Sequence, residues 1–238
     1  MEAGLYVLVS GQLALQRRLD TIANNVANSA TGGFRAENVT FESVLSRQAI
    51  AYSSKGGTTF SMAAGSLVQT DNPLDVAIQG DAFFAISTPS GTAYTRDGRF
   101  SVSATGDVQT LAGHALLDPS GSPLQIDPSL GPVTIAPNGV ISQGGKPTAT
   151  IGLFKLQNSA HLVRGGGASL ISNAPAEQII DFTENNIKQG YVENANVNPV
   201  HEMTRLVAVS RAFEALSSSM DQSDRKLDEA IRALGGGR

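Results

Sequence analysis

The residues that could do chemistry in this chain are few and poorly spaced for it. His114, His161 and His201 are its only histidines, no pair of them has carboxylates at ligand spacing, and there is no cysteine. A metal or thiolate site therefore lacks its ligands. Asp71, Asp75 and Asp81 cluster in sequence, but a loop-and-strand setting gives no paired-carboxylate geometry for acid–base work. Gly165-Gly166-Gly167 is not followed by the Lys-Ser/Thr and helix of a phosphate loop, and reads as a turn. Arg96-Asp97-Gly98 invites a charge switch, yet Asp-Gly between two strand-like runs is more simply a hairpin turn. The expectation is a protein that is not an enzyme, with no cofactor, metal or small-molecule substrate. Asn24-Asn25 stands apart. Asparagine is costly within a helix, so this pair is expected to hydrogen-bond a neighbouring subunit or a loop backbone.

The elements around these residues have a clearer pattern. Leu5, Leu8, Gln12, Leu15, Leu19, Ile22 and Val26 recur at alternating spacings of three and four. Leu206, Val209, Phe213, Leu216, Met220, Ser223, Leu227, Ala230 and Leu234 do the same. Each series is the a/d seam of a coiled coil, interrupted by Gln12 and Ser223, which either fix register or face water. The first helix is predicted over residues 3–27 and stops at Asn28-Ser29-Ala30-Thr31-Gly32-Gly33. The second starts at Pro199, with Asn198 as N-cap and Glu202 complementing the dipole. Residues 35–61 read two ways: Phe41, Val44, Leu45, Gln48 and Ile50 could line a short helix, while 53–59 looks like loop.

From residue 65 to about 180 the period changes to short strands. Runs at 74–78 and 83–86 flank Gln79-Gly80-Asp81, and those at 94–95 and 100–102 flank the Asp97-Gly98 signal. Runs at 108–110 and 115–117, and at 133–135 and 140–141, bracket further turns, the second holding Asn138-Gly139. Strands at 151–156 and 170–171 are expected to join across 164–167. The fold class is α+β, with long terminal helices and a central, mostly antiparallel sandwich or irregular barrel. The predicted divisions are an assembly helix and signature at 1–34, a connecting segment at 35–64, a β-rich domain at 65–185 and a second signature and helix at 186–238.

Composition removes other classes. A net charge of -4 without basic runs argues against a nucleic-acid partner. Glu2 stands where a cleaved signal needs a basic segment, and the apolar stretch at 5–9 is too short to span a bilayer. No membrane span is expected, and export would use a route without a cleaved signal. A small wall-degrading hydrolase would need an acid/base pair that is not visible. A secreted adhesin would leave the terminal seams unexplained.

Three blocks carry a family resemblance. Residues 22–35 (IANNVANSATGGFR) resemble the N-terminal signature of flagellar basal-body rod and hook proteins: Asn-Asn-aliphatic-Ala-Asn, then Thr-x-Gly, an aromatic and a basic residue. Residues 65–86, followed by Tyr94-Thr95-Arg96-Asp97-Gly98-Arg99-Phe100, are similar to the family's conserved module. Residues 190–215 resemble its C-terminal signature, Glu-x-x-Asn-Val and a Glu-Met-led helix. Phe213 departs from a common Tyr, and Ala195-Asn196-Val197 from a common Ser-Asn-Val. Within the family, the opening at residues 4–21 is most similar to proximal-rod members, with a distal-rod or hook-type subunit as the alternative.

The resemblance implies a structural rod subunit that polymerises with proximal and distal rod proteins and with its own copies in a helical array, transmitting torque. It further implies passage through the flagellar type III export apparatus to the periplasmic rod. The helices would form an inner layer and the β domain an outer one. The expected assembly residues are Leu5, Leu8, Leu15, Leu19, Ile22, Asn24, Asn25, Val26 and Asn28, with Leu206, Val209, Phe213, Leu216, Met220 and Leu227.

Overall fold

The structure, a computed structural model, describes residues 2–41, 43–45, 51–53, 57–157 and 162–235. The chain divides into two compact units, a helical unit of Met1–Val26, Glu37–Thr58 and Asn198–Arg238 and a β unit of Ala27–Ala36 and Thr59–Val197.

In the helical unit, α1 runs Glu2–Ala27 and α2 runs Pro199–Gly235. The start of α2 is capped as its sequence demands: Asn198 Oδ1 accepts from the His201 amide at 3.1 Å, and its carbonyl accepts from the Glu202 amide at 3.0 Å. The helices pack antiparallel. A Cβ placed on Gly11 would lie 3.3 Å from Leu216 Cδ2, and Asn25 Nδ2 lies 3.5 Å from Glu202 Oε2. In both contacts the residue numbers add to 227. On that register the two seams face each other to within a residue: Leu8 by Met220, Leu15 by Phe213, Leu19 by Val209 and Ile22 by Leu206. Gly11 carries no side chain to push Leu216 away.

Val44 and Leu45 do not lie in the short helix that was one of the two readings. Ser43–Leu45 and Ala51–Ser53 pair as antiparallel strands, Val44 opposite Tyr52, whereas Gln48 and Ile50 lie outside the described residues. β-branched and aromatic side chains at the paired positions favour the extended form. Glu37–Thr40, alternately half-buried and exposed, pairs with Gly57–Phe60 where a loop was expected.

The β unit centres on the strand Ala82–Thr88, which pairs antiparallel with Gly91–Thr95, Leu153–Lys155 and Ala115–Leu116. Leu162–Gly166 and Ser169–Ser172 extend the sheet on one side, Val108–Thr110 and Phe100–Val102 on the other. Val133–Ile135, Val140–Gln143 and Lys146–Thr150 form a second sheet, and Val76–Gln79 pairs with Asn186–Gln189. Sixteen buried apolar residues make one core, among them Val76, Phe84, Phe100, Leu116, Leu153 and Ile187. Phe84 and Phe100 meet edge-to-face at 5.3 Å.

The Asn138-Gly139 hairpin forms as its sequence requires. Ile135 pairs with Ile141, the Gly139 amide donates to the Ala136 carbonyl, and Gly139 has φ 81. The hairpin expected at Asp97-Gly98 does not. Gly91–Thr95 pairs with Ala82–Thr88 and Ser169–Ser172, while Phe100–Val102 pairs with Val108–Thr110. Gly98 is there for close approach, since a Cβ on it would fall 1.6 Å from the Val76 carbonyl oxygen. The glycine run at 165–167 leads into the expected strand at 170–171, here Ser169–Ser172, but its pair across the turn is Leu162–Gly166 and not the strand expected at 151–156. Nor do the runs beside Gln79-Gly80-Asp81 pair with each other; Val76–Gln79 takes Asn186–Gln189 instead.

Candidate functional site

In the helical unit the polar centre is Asn25. It is buried near the end of α1, its Oδ1 accepts from the Glu37 amide at 2.9 Å and its Nδ2 donates to the Glu37 carbonyl at 2.9 Å. The amide thus closes a strand-like pair with the backbone of Glu37, the first residue of the strand Glu37–Thr40. Glu202, also buried, pairs with Arg205 at 3.0 Å. Asn24 and Val26 are half-buried. Of the seam, Ile22 and Val209 are buried; Leu8, Leu15, Leu19, Leu206, Phe213, Leu216 and Met220 are half-buried. The side chains of Leu5, Ser223 and Leu227 lie outside what the structure describes.

The β unit holds a denser polar site, built from segments far apart in sequence. Residues 33–36 and 193–196 lie side by side: the Gly33 amide donates to the Glu193 carbonyl at 2.7 Å and the Asn196 amide to the Phe34 carbonyl at 3.1 Å. Asn196 Oδ1 accepts from the Ala36 amide at 2.6 Å, across 160 residues of sequence. Its Nδ2 donates to the carbonyls of Ser61 and Ala63 at 3.0 and 2.7 Å. Asn28, half-buried, accepts from the Thr31 hydroxyl at 3.2 Å in the turn leading into this site.

Glu193 is the hub. Its carboxylate accepts from Arg35 Nη1 at 2.8 Å, Arg96 Nη1 at 3.2 Å and the Gly65 amide at 2.8 Å. The two arginines are each 1% exposed. Arg35 also donates to the Ala63 carbonyl at 2.8 Å, and Arg96 to the carbonyls of Ile78 and Gly80. Burial pulls the Arg96 guanidinium down to about 10, opposed by the Glu193 carboxylate, with Arg35 adding to the fall. It stays charged at neutral pH. Arg164 caps the site, its guanidinium 4.1 Å from the Phe34 ring centre and 4.9 Å from that of Phe60, and donates to the Arg35 carbonyl at 2.8 Å.

Sequence reasoning placed Arg35, Glu193 and Asn196 inside signature blocks but gave them no role, and it put Arg96 in a hairpin. A charged residue beside a buried aromatic, as in Phe34-Arg35, is a signal that could have marked one end. Its partner lies too far along the chain for spacing to show. Elsewhere, His114 is half-buried, His201 is exposed and His161 lies outside the described residues. Among the described residues no group of three or more His, Cys, Asp or Glu could hold a metal ion, and no helix is long and apolar enough to cross a membrane.

Comparison with known proteins gives this geometry its setting. Residues 5–35 match the family model "Flagella basal body rod protein", residues 77–143 "Flagellar hook protein FlgE/F/G D1 domain" and residues 188–233 "Flagellar basal body rod FlgEFG protein C-terminal". Arg35, Arg96 and Glu193 lie one in each matched segment. The flagellar basal-body rod protein FlgF of Mesorhizobium japonicum is 46% identical over 238 residues, 99% of each chain. Proteins of the same name from Rhizobium meliloti and Caulobacter vibrioides are 40% and 34% identical, covering 100% and 99% of each chain. With signatures at both ends and relatives aligned along the whole length, the chain belongs to the flagellar basal-body rod protein family, whose members are structural subunits of the rod and not enzymes.

Proposed function

We propose that this subunit occupies the proximal rod, in the periplasm, and polymerises there with its own copies and with proximal and distal rod proteins to carry torque from motor to hook. It reaches the rod through the flagellar type III export apparatus, without a cleaved signal. The contacts are made by the terminal helices: Leu5, Leu8, Leu15, Leu19, Ile22, Val26, Leu206, Val209, Phe213, Leu216, Met220 and Leu227, with Asn24, Asn25 and Asn28 shaping the end of α1. Residues 65–185 form the outer part.

One observation carries this reading. Outside their mutual seam the helices leave Tyr6 (61%), Leu13 (58%), Val200 (73%), Met203 (52%) and Val207 (51%) open to solvent. Leu13 follows Tyr6 by seven residues, and Met203 and Val207 follow Val200 at spacings of three and four, so each set lies along one helix face, as apolar stripes that pack on other helices do.

A strain carrying Leu216→Asp as its sole copy tests the assembly. It is expected to be non-motile, with no hook outside the cell; normal swimming contradicts the proposal. Electron cryomicroscopy of its parent's basal bodies tests the position. A short ring of this chain below the distal segment supports the proximal rod, whereas a long segment reaching the hook junction overturns that assignment.

A further inference from the structure

The chain passes between its two units four times, after residues 26, 36, 58 and 197. Segments 33–36, 61–65 and 193–196 flank three of those passes on the β-unit side, and all three meet at Glu193 and Asn196. We infer that Glu193 is a positioning residue that fixes the roots of both terminal helices through an ordered link. Arg96 anchors Glu193 to the β unit through the Ile78 and Gly80 carbonyls. Glu193 holds the root of α2 to that anchor, and Arg35 holds the root of α1 to Glu193.

The order follows from charge and from packing. One carboxylate serves two buried guanidiniums, so removing Arg35 leaves a balanced Arg96–Glu193 pair, whereas removing Glu193 leaves two uncompensated cations. None of residues 33–36 or 193–196 belongs to the sixteen-residue core, so releasing the roots leaves that core packed. Within the β unit, the segments that lead toward both terminal helices would then be held together by one carboxylate. This goes beyond the assembly reading and needs no neighbouring subunit.

Amide hydrogen exchange on the dilute full-length chain tests it, with Ala82–Thr88 as the internal reference. The Gly33, Ala36 and Asn196 amides report the first root, and the Gly65 and Asn194 amides, which donate to Glu193 and to the Ser66 carbonyl, report the last. In Glu193→Gln all five are expected to exchange faster, by roughly a hundredfold for Gly65, whose amide is bonded to the carboxylate, the factor an uncompensated buried charge implies. In Arg35→Met only Gly33, Ala36 and Asn196 speed up, because the remaining pair stays neutral. In Arg96→Met, which also leaves a neutral pair but removes the hold on the Ile78 and Gly80 carbonyls, all five speed up together. Unchanged protection in Glu193→Gln overturns the inference. So does Arg35→Met if it accelerates all five along with the reference strand, which is the behaviour of a merely destabilised protein. A Glu193→Gln chain too unstable to handle leaves Arg35→Met, which retains a paired Glu193, to decide the matter.

Discussion

The two units of this chain are built to different standards of completeness. The β unit buries sixteen apolar residues in one core, and its buried Arg35, Arg96 and Glu193 are paired on one another and on backbone groups. The helical unit contains 26- and 37-residue helices, yet among its described residues only Ile22 and Val209 are buried apolar side chains, beside the polar Asn25 and Glu202. Helices in water owe most of their stability to packing of an apolar face, and here, Ile22 and Val209 apart, the described residues of that face are only half-covered. One unit holds itself together. The other leaves apolar side chains such as Tyr6, Leu13 and Val207 exposed.

That contrast is sharpest at a residue fully inside the β unit. Phe84→Ala, at a position with no exposed surface and an edge-to-face partner in Phe100, is expected to cost about 3–5 kcal/mol. Urea unfolding of the dilute chain measures this, and a loss below about 1 kcal/mol would mean that the core is not the sole support of that unit. Next comes Asn25→Ala, which strands the Glu37 amide and carbonyl, at about 1–3 kcal/mol. Asn25→Asp sharpens it by setting a carboxylate against Glu202. Exchange at the Glu37 amide reads both, and unchanged protection would show that the asparagine is not the closing contact.

Phe213→Ala probes the other side of the comparison. Half-buried in the dilute chain, it is expected to cost about 1 kcal/mol or less there while abolishing rod assembly in cells. A large loss in solution with normal motility would reverse the picture of an unfinished helical unit. The smallest effect is expected at Asp127, whose carboxyl is held below its ordinary value of 3.8 by the Ser129 hydroxyl and amide. Its folded value is the lower one, so its contribution is present above that ordinary value and disappears as pH falls through the folded value. Asp127→Ala should therefore lower Tm slightly at neutral pH and converge with wild type in strong acid; a constant offset across the whole range would rule out the titration.

What could be read from the sequence divides along the same line. The helices and the spacing of their seams were legible because three- and four-residue spacing is a local signal, and Asn198-Pro199 marked a start that the structure keeps, whereas the register between the helices came only from the structure. The Asn138-Gly139 turn was legible for the same reason. Asp97-Gly98 misled because its glycine serves a contact with Val76 from a distant strand, not a turn. The short strands at 43–45 and 51–53 were obscured by residues that would also fit one helix face. The link of Arg35, Arg96 and Glu193 was not legible at all. No period marks a charge that is buried because its partner comes from the other end of the chain, and only the matching signature blocks hinted that these residues mattered.

Hydrogen exchange along the full-length chain in dilute solution, compared with the same chain in purified basal bodies, addresses the difference between the units most directly. Strands such as Ala82–Thr88 should be strongly protected in both states, while α1 and the length of α2 beyond Val209 should exchange orders of magnitude faster in solution than in the rod. Equally slow exchange through both helices in the free chain would contradict the account, because the helical unit would then need no neighbour to complete it.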